Sequence, residues 1–468
     1  MGGPIRSLLS RVMSNGRLFE TGGGPAHRRR RRRGLSRAGE ERLSALGERI
    51  PQMSADMVRS IARERTARVE RYVMALVVGV VVVLVVVLAG VQWFRPLPSP
   101  VFRSAVSTSL RLPGMPPSLP WPTTGSAALS VEGVGSLGQI GSTQPVPIAS
   151  IAKVLTAYVI LQDHPLASGA AGPTIPVTPD TVAAYQAGVT TQQSEVAVSA
   201  GETLTELQAL EGLLVASGSD IATLLADWDA GNTAGFVAKM NSAAHVLGLS
   251  STHVTDPSGL DPGTVSTPAD LIRLGEAAMA IPTFSQVVAM GEVTLPLAGL
   301  VYNFDYDLGH DGILGIKTGS DTAAGGCFLF AAQRTVGAKD VTLIGAVLGQ
   351  QGTSPITTAL DDADLLVKAA FASIGPLPLV SAGHLVGRIV APWGTSAPVV
   401  ASTSPSIIGW PGLAVPIHVR LGALPSPVSS GTRIGVLKID LDGHITDVVL
   451  RTSRRLPGPS VIWRLTRL

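Results

Sequence analysis

The chain has 468 residues, 45% of them apolar, and a formal net charge of only +3. That length suits two or three domains with a sizeable core. A single cysteine, Cys327, excludes an internal disulfide and any paired-cysteine metal site. It lies in the apolar run Gly326–Phe330 and reads as a small buried hydrophobe.

The small net charge hides an asymmetry, with residues 1–71 rich in Arg, free of Lys and poor in acids. Arg28 to Arg33 are consecutive, and Arg59, Arg63, Arg65, Arg68 and Arg71 continue toward an uncharged stretch from Tyr72 to Phe94. At 1.5 Å per residue that stretch spans roughly 34 Å as a helix, enough to cross a hydrocarbon core. Arg71 and Arg95 flank it, with Tyr72 at one end and Trp93 and Phe94 at the other, as interfacial aromatics do. The run is too long and starts too deep for a cleaved signal peptide. The positive-inside rule puts residues 1–71 in the cytoplasm and everything beyond about residue 95 outside, giving a single-pass protein. The arginine run reads as an orienting, largely disordered tail; the other chemistry it offers is binding of nucleic acid or anionic lipid.

Residues 95–125 are rich in Pro and Ser and read as an extended spacer. Globular texture begins near Ser126, and residues 126–376 read as one domain. Ala127–Glu132 and Leu137–Ile140 read as short strands. Ile148–Leu161 is a helix apolar nearly all round, hence buried. A second helical pattern runs from Leu204 to Trp228 with a break at Ser217-Gly218-Ser219. A third, from Thr233 to Leu247, stops at Gly248, and a short one fits Pro268–Met279. Ile313–Thr318 and Cys327–Ala332 read as paired strands around a Gly-rich bend. Residues 377–468 alternate short Val/Ile segments with Pro, Gly and Ser: His384–Val390, Val415–Leu421, Arg433–Leu441 and Ile445–Leu450. Asp442-Gly443 signals a hairpin, and Val461–Leu468 ends the chain as a strand or short helix, giving a small all-β domain.

Lysine use singles out candidate chemistry. Of 36 basic residues only six are Lys. Lys153 closes Ser150-Ile151-Ala152-Lys153, and Lys317 opens Lys317-Thr318-Gly319. Arg serves a purely cationic role and keeps its proton, whereas a buried Lys becomes a neutral amine, so Lys153 reads as a base. For Lys317 a compact ammonium point charge explains the choice equally well. Ser150 at a helix start exposes its N–H and the helix dipole to a developing oxyanion, and Lys153 lies one turn on. Such an amine takes the hydroxyl proton when burial and a neighbouring cation lower its pKa. By itself S-x-x-K also describes an N-cap serine followed by a surface lysine. In K-T-G, Thr318 and Lys317 suit a carboxylate, and Gly319 permits close approach of a substrate backbone. Ser217 and Ser219, at the helix break, offer hydroxyls to a cleft.

These motifs, in this order and spacing, resemble the penicillin-recognising serine D-alanyl-D-alanine carboxypeptidases. Pro147-Ile148-Ala149-Ser150, Leu213–Asp220, the segment from Phe236 to Met240-Asn241, Leu247-Gly248-Leu249, Asp256–Leu260 and Gly315–Gly319 carry the resemblance, over about residues 126–375. It implies an α/β fold, an antiparallel sheet flanked by helices with a helical subdomain carrying Ser217. It also implies Ser150 as acylated nucleophile, Lys153 as its base, and Ser217 as proton relay to the leaving amine. Lys317 and Thr318 would hold the terminal carboxylate, with Gly319 and Ser219 lining the substrate site. The N–H groups of Ser150 and Ser320 would form the oxyanion hole. The expected partners are peptidoglycan stem peptides ending in D-Ala-D-Ala, β-lactam antibiotics that imitate them, and the bacterial membrane through residues 72–94. No cofactor, metal or nucleic acid is expected.

One departure stands out. Ser219 occupies the place where the family usually has Asn, a short hydroxyl instead of a longer amide; adjacent Asp220 is expected to point elsewhere. Losing an oriented amide costs on the order of 10- to 1000-fold where it acts on the transition state. Two other readings are a β-lactamase of the same fold and a non-catalytic wall-binding homologue. The first usually needs a separate acidic residue, often in E-x-x-L-N, and no such run lies between Ser217 and Lys317. Intact Ser150, Lys153, Ser217 and Lys317 speak against the second. A metallopeptidase is excluded by eight scattered His without H-x-H or H-E-x-x-H. His310, Asn303 and Asp305 lie near Lys317 in sequence with no pattern that assigns them.

Overall fold

The computed structural model describes residues 50–424, 428–441 and 444–467, in two compact units divided after Arg95. The first is one helix, α1 (Ile50–Phe94). Its segment Met57–Phe94 reaches a mean hydropathy of 3.2 over 18 residues and buries none of that window. The helix begins well before Tyr72, so residues 50–71 are not the disordered tail expected of them. Glu, Arg and Ala between 54 and 71 are good helix formers, and Glu64 faces Arg68 one turn on at 3.9 Å. Arg28–Arg33 lies outside the described residues.

In the second unit the central layer is a five-stranded antiparallel sheet. Its strands are β1 (Ser126–Val131), β2 (Gly135–Ile140), β3 (Ile313–Asp321), β4 (Gly325–Val336) and β5 (Lys339–Gln350), in the order β3-β4-β5-β1-β2. Along β4, Cys327, Leu329 and Ala331 face one core while Phe328, Phe330 and Ala332 face another. Both faces are covered, which is why this strand reads as an unbroken apolar run.

The helices are α2 (Ala152–Asp163), α3 (Pro179–Thr190), α4 (Glu206–Leu214), α5 (Ser219–Ala230), α6 (Thr233–Val246), α7 (Pro268–Met279), α8 (Pro282–Val288) and α9 (Pro355–Ser373). α7 packs on β5 and β1 from one side, and α9 covers β4 and β5 from the other. Helices α2 to α6 gather beyond α7 around α2, whose residues Val154, Leu155, Ala157, Ile160 and Leu161 are buried. The break between α4 and α5 falls at Val215–Gly218. A capping box of Thr205 and Gln208 fixes the start of α4.

The C-terminal part is a seven-stranded sheet. Two of its strands, Val101–Ser104 and Ser109–Arg111, come from the segment read as a spacer. Val101–Ser104 pairs with Leu385–Val390, and Ser109–Arg111 with Ala414–Leu421. Proline spares these two stretches, and the sheet edges offer them unpaired N–H and C=O groups. Arg433–Leu441 pairs with His444–Thr452, joining Leu441 to His444; the turn residues Asp442 and Gly443 lie outside the described residues. Val461–Thr466 is a short helix.

Candidate active site

Three segments converge on one point. The nucleophile segment enters through the short pairing of Val146–Pro147 with Val265–Ser266. It turns through a 3-10 turn at Ala149–Ile151 and continues as α2. Ala149 holds φ +46°, a left-handed conformation that costs a residue with a Cβ about 1–3 kcal/mol. Ser150 follows it within the 3-10 turn that leads into α2.

Strand β3 lies directly against this turn. A Cβ on Gly319 would sit 2.9 Å from the Ser150 backbone N and 3.1 Å from Ile148 O. The glycine of K-T-G therefore admits the protein's own nucleophile turn, a close approach that the sequence did not report. Register sets Lys317 opposite Leu329, Thr318 opposite Phe328, Gly319 opposite Cys327 and Ser320 opposite Gly326. Lys317 and Thr318 are buried, and Ser320 is exposed at the strand end.

Lys153 is fully buried, and its Nζ lies 2.8 Å from Ser150 Oγ and 3.2 Å from Ser219 Oγ. Burial holds its pKa down to about 8 against the opposing charges of Glu195, Asp256 and Asp220. Lys317 Nζ donates to its neighbour Thr318's carbonyl at 3.0 Å. Burial first, then the charge of Lys153, brings its pKa down to about 7, with Asp305 opposing. Burial thus pulls both amines toward neutrality, which for Lys153 suits a group that moves a proton.

The structure thus brings Ser150, Lys153 and Ser219 together by direct contact, and the backbone of Gly319 against Ser150. Ser217 was expected to relay protons between Lys153 and the leaving amine. It is buried at φ +61° and makes no side-chain hydrogen bond among the described residues. The contact with Lys153 goes instead to Ser219, where the family usually has Asn, so the short hydroxyl still reaches the amine. Asp220 turns away from Lys153's hydroxyl partners, its Oδ1 accepting from Val196 N at 3.1 Å.

Three acids near the site have no role assigned by the sequence: Glu195 lies in no motif, Asp256 stands only within the Asp256–Leu260 block and Asp305 only as a neighbour of Lys317. Glu195 is the strongest charge acting on Lys153, and it precedes Ser217 and so lies outside the stretch between Ser217 and Lys317. Asp256 gathers its own loop, accepting from the Ser258, Gly259 and Leu260 N–H groups at 3.0, 2.8 and 3.0 Å. The Asp-Pro-Ser-Gly spacing is the signal for that turn. Asp305, near Lys317, is pushed up to about 7, mainly by burial. Cys327 is buried, and its thiol is pushed up to about 12, which removes it as a nucleophile.

A nucleophile turn, a buried lysine, a helix-break serine pair and a K-T-G strand beside an antiparallel sheet define the penicillin-recognising class of serine hydrolase fold. Among solved structures, the D-alanyl-D-alanine carboxypeptidase DacD from Francisella tularensis superposes with a TM-score of 0.54 at 19% identity, covering 74% of this chain and 96% of that one. Penicillin binding protein 5 from Haemophilus influenzae gives 0.52 at 21% identity, covering 74% of this chain and 99% of that one. At such identities these two speak for the fold.

In sequence, the D-alanyl-D-alanine carboxypeptidase family model matches residues 137–352. The D-alanyl-D-alanine carboxypeptidase of Streptomyces sp. is 33% identical over 240 residues, 48% of this chain and 78% of that one. DacB2 of Mycobacterium tuberculosis is 40% identical over 195 residues, 40% of this chain and 62% of that one. The chain belongs to the serine-type D-alanyl-D-alanine carboxypeptidase family. It spans less than two thirds of the length of the Mycobacterium tuberculosis relative.

Proposed function

We propose that this chain is a membrane-anchored D,D-carboxypeptidase that removes the terminal D-Ala from peptidoglycan stem peptides and is acylated by penicillins. The observation that carries the reading is the 2.8 Å contact between Lys153 Nζ and Ser150 Oγ in a buried setting. With Lys153 neutral, the hydroxyl proton passes to Nζ as Oγ attacks the carbonyl of the penultimate D-Ala. The N–H groups of Ser150 and Ser320 stabilise the oxyanion. Collapse breaks the C–N bond, and the proton travels from Lys153 to the leaving amine through Ser219, whose Oγ lies 3.2 Å from Nζ. Water then attacks the acyl-enzyme, with Lys153 again taking a proton. Lys317 and Thr318 hold the terminal carboxylate, which imposes a carboxypeptidase outcome. The helix α1, with arginines before it, anchors the domain with its N-terminus in the cytoplasm.

The test is intact mass of the full chain in detergent after exposure to benzylpenicillin, with Ser150→Ala alongside, and release of D-Ala from a D-Ala-D-Ala peptide. A long-lived single adduct absent from Ser150→Ala, together with D-Ala release, is the expected result. No adduct with the antibiotic intact, and no D-Ala released, overturns the reading in favour of a wall-binding homologue. Consumption of the antibiotic without an adduct points to a β-lactamase.

A further inference from the structure

Within electrostatic reach of Lys153, the carboxyl groups of Glu195 and Asp220 meet. The backbone N–H of Asp220 donates to Glu195 Oε2 at 2.8 Å. Val196 N donates to Asp220 Oδ1 at 3.1 Å, and Ser219 N to Ser194 O at 2.9 Å. Residues 194–196 are thereby laced onto the start of α5, the element that brings Ser219 to Lys153. Asp220 is 1% exposed, and its Oδ2 is buried without a donor. The other carboxyl within its hydrogen-bonding reach is Glu195. Two acceptor oxygens facing each other in a dry site are satisfied by a proton between them.

The chain makes room for this arrangement. Gly188 sits within α3, where Gly costs about 1 kcal/mol relative to Ala. A Cβ there would fall 1.8 Å from Glu195 Oε1. The glycine is the floor on which Glu195 rests.

We propose that Glu195 and Asp220 form a one-proton carboxyl pair, with the proton on Asp220 and the negative charge on Glu195, and that this pair is a positioning device for Lys153. Its single charge supports the ammonium form between turnovers, and its hydrogen bonds hold Ser219 at the amine. Burial pushes Asp220 up to about 8, with the Glu195 contact as the second cause, in keeping with a protonated carboxyl at neutral pH. Asp256 is the other carboxylate that acts on Lys153, Asp220 joins in only when it ionises, and Lys317 is the cation that acts on the same amine. This inference deepens the reading of Lys153 as the base of the carboxypeptidase and rests on it for its functional meaning.

Asparagine copies a protonated aspartic acid: its Oδ1 keeps the Val196 N–H, and its Nδ2 donates to Glu195. The test titrates the six lysines of the full chain in detergent micelles by 13Cε-lysine NMR, with Lys153 assigned by its loss in Lys153→Arg. Benzylpenicillin acylation is followed in parallel. Asp220→Asn is expected to leave the Lys153 midpoint in place. Glu195→Gln with Asp220→Asn removes the charge while keeping the shape, and lowers the Lys153 proton affinity roughly tenfold or more. The acidic limb of acylation shifts down with it. A double variant whose Lys153 titrates as in the parent overturns the inference, as does an Asp220→Asn shift equal to that of the double variant. Failure of the parent to acylate, with the lysine shifts as expected, overturns the carboxypeptidase reading alone.

Discussion

At the scale of single residues, the proposed chemistry turns on two buried amines with opposite requirements. The proposed mechanism requires Lys153 neutral and Lys317 charged for acylation, while burial pulls the first to about 8 and the second to about 7. Raising the pH therefore frees the base and discharges the carboxylate clamp over the same interval, so kcat/KM is expected to be bell-shaped and narrow. A bound carboxylate raises Lys317 again, so the alkaline limb of kcat lies higher than that of kcat/KM. Lys317→Arg, which stays charged, abolishes the alkaline limb caused by discharge of the clamp; an unchanged limb in initial-rate profiles would refute this. Lys153→Met separates stability from activity. A lysine whose folded pKa is depressed destabilises the fold below that value, and the penalty fades as pH rises from about 8 toward its unfolded 10.5. Lys153→Met is thus expected to raise Tm at pH 7 while lowering acylation by about 10²- to 10⁴-fold. The Tm gain should shrink in scans at pH 10. These two lysines were legible in the sequence because the chain otherwise prefers Arg. Glu195 was not, since no motif or period links its loop to Lys153.

At the scale of elements, the site depends on how closely β3 approaches the turn before α2. Gly319→Ala puts a Cβ 2.9 Å from the Ser150 N–H, a distance that forces one of the two backbones to move. Displacing a reacting atom by about 1 Å costs on the order of 10²-fold in rate. Penicillin acylation of Gly319→Ala is expected to fall by about that factor while circular dichroism stays native; parent-like acylation would show that the turn yields freely. Helix α7 was legible to the residue, through Pro268 at its start and its apolar stripe. The α4–α5 break was legible through Ser217-Gly218-Ser219. Other elements were not. β5 crosses the middle of the sheet with both faces covered and glycines at 345 and 349, which leaves neither alternation nor a clean boundary. α3 and α9 each begin with a proline at 179 and 355, a start signal that the surrounding turn-rich sequence masked. Which of the two serines meets Lys153 was decided by the left-handed residue at 217, a backbone property that spacing does not report.

At the scale of the whole molecule, composition separated the parts more sharply than the fold does. The proline-rich stretch after α1 reads as a tether, yet it returns to the C-terminal sheet and supplies both of its edge strands. Leu112 is 1% exposed, and its N–H donates to Leu413 O at 2.8 Å. Leu119 is also buried, and both belong to the core shared by the sheet, α9 and the β-rich part. Cutting the chain at residue 126, where globular texture begins, removes two edge strands and uncovers that core. Exposed edges with open N–H and C=O groups pair with other chains. A fragment of residues 96–467 is therefore expected to be soluble and monomeric by size-exclusion chromatography, and one of residues 126–467 to aggregate. Leu112→Ala in the longer fragment isolates the packing contribution from the edge effect. It removes a buried side chain and is expected to cost about 2–5 kcal/mol, read as a lower Tm. A parent-like Tm would mean that the segment lies on the domain without supporting it, and a soluble 126–467 fragment would return the stretch to the role of a tether.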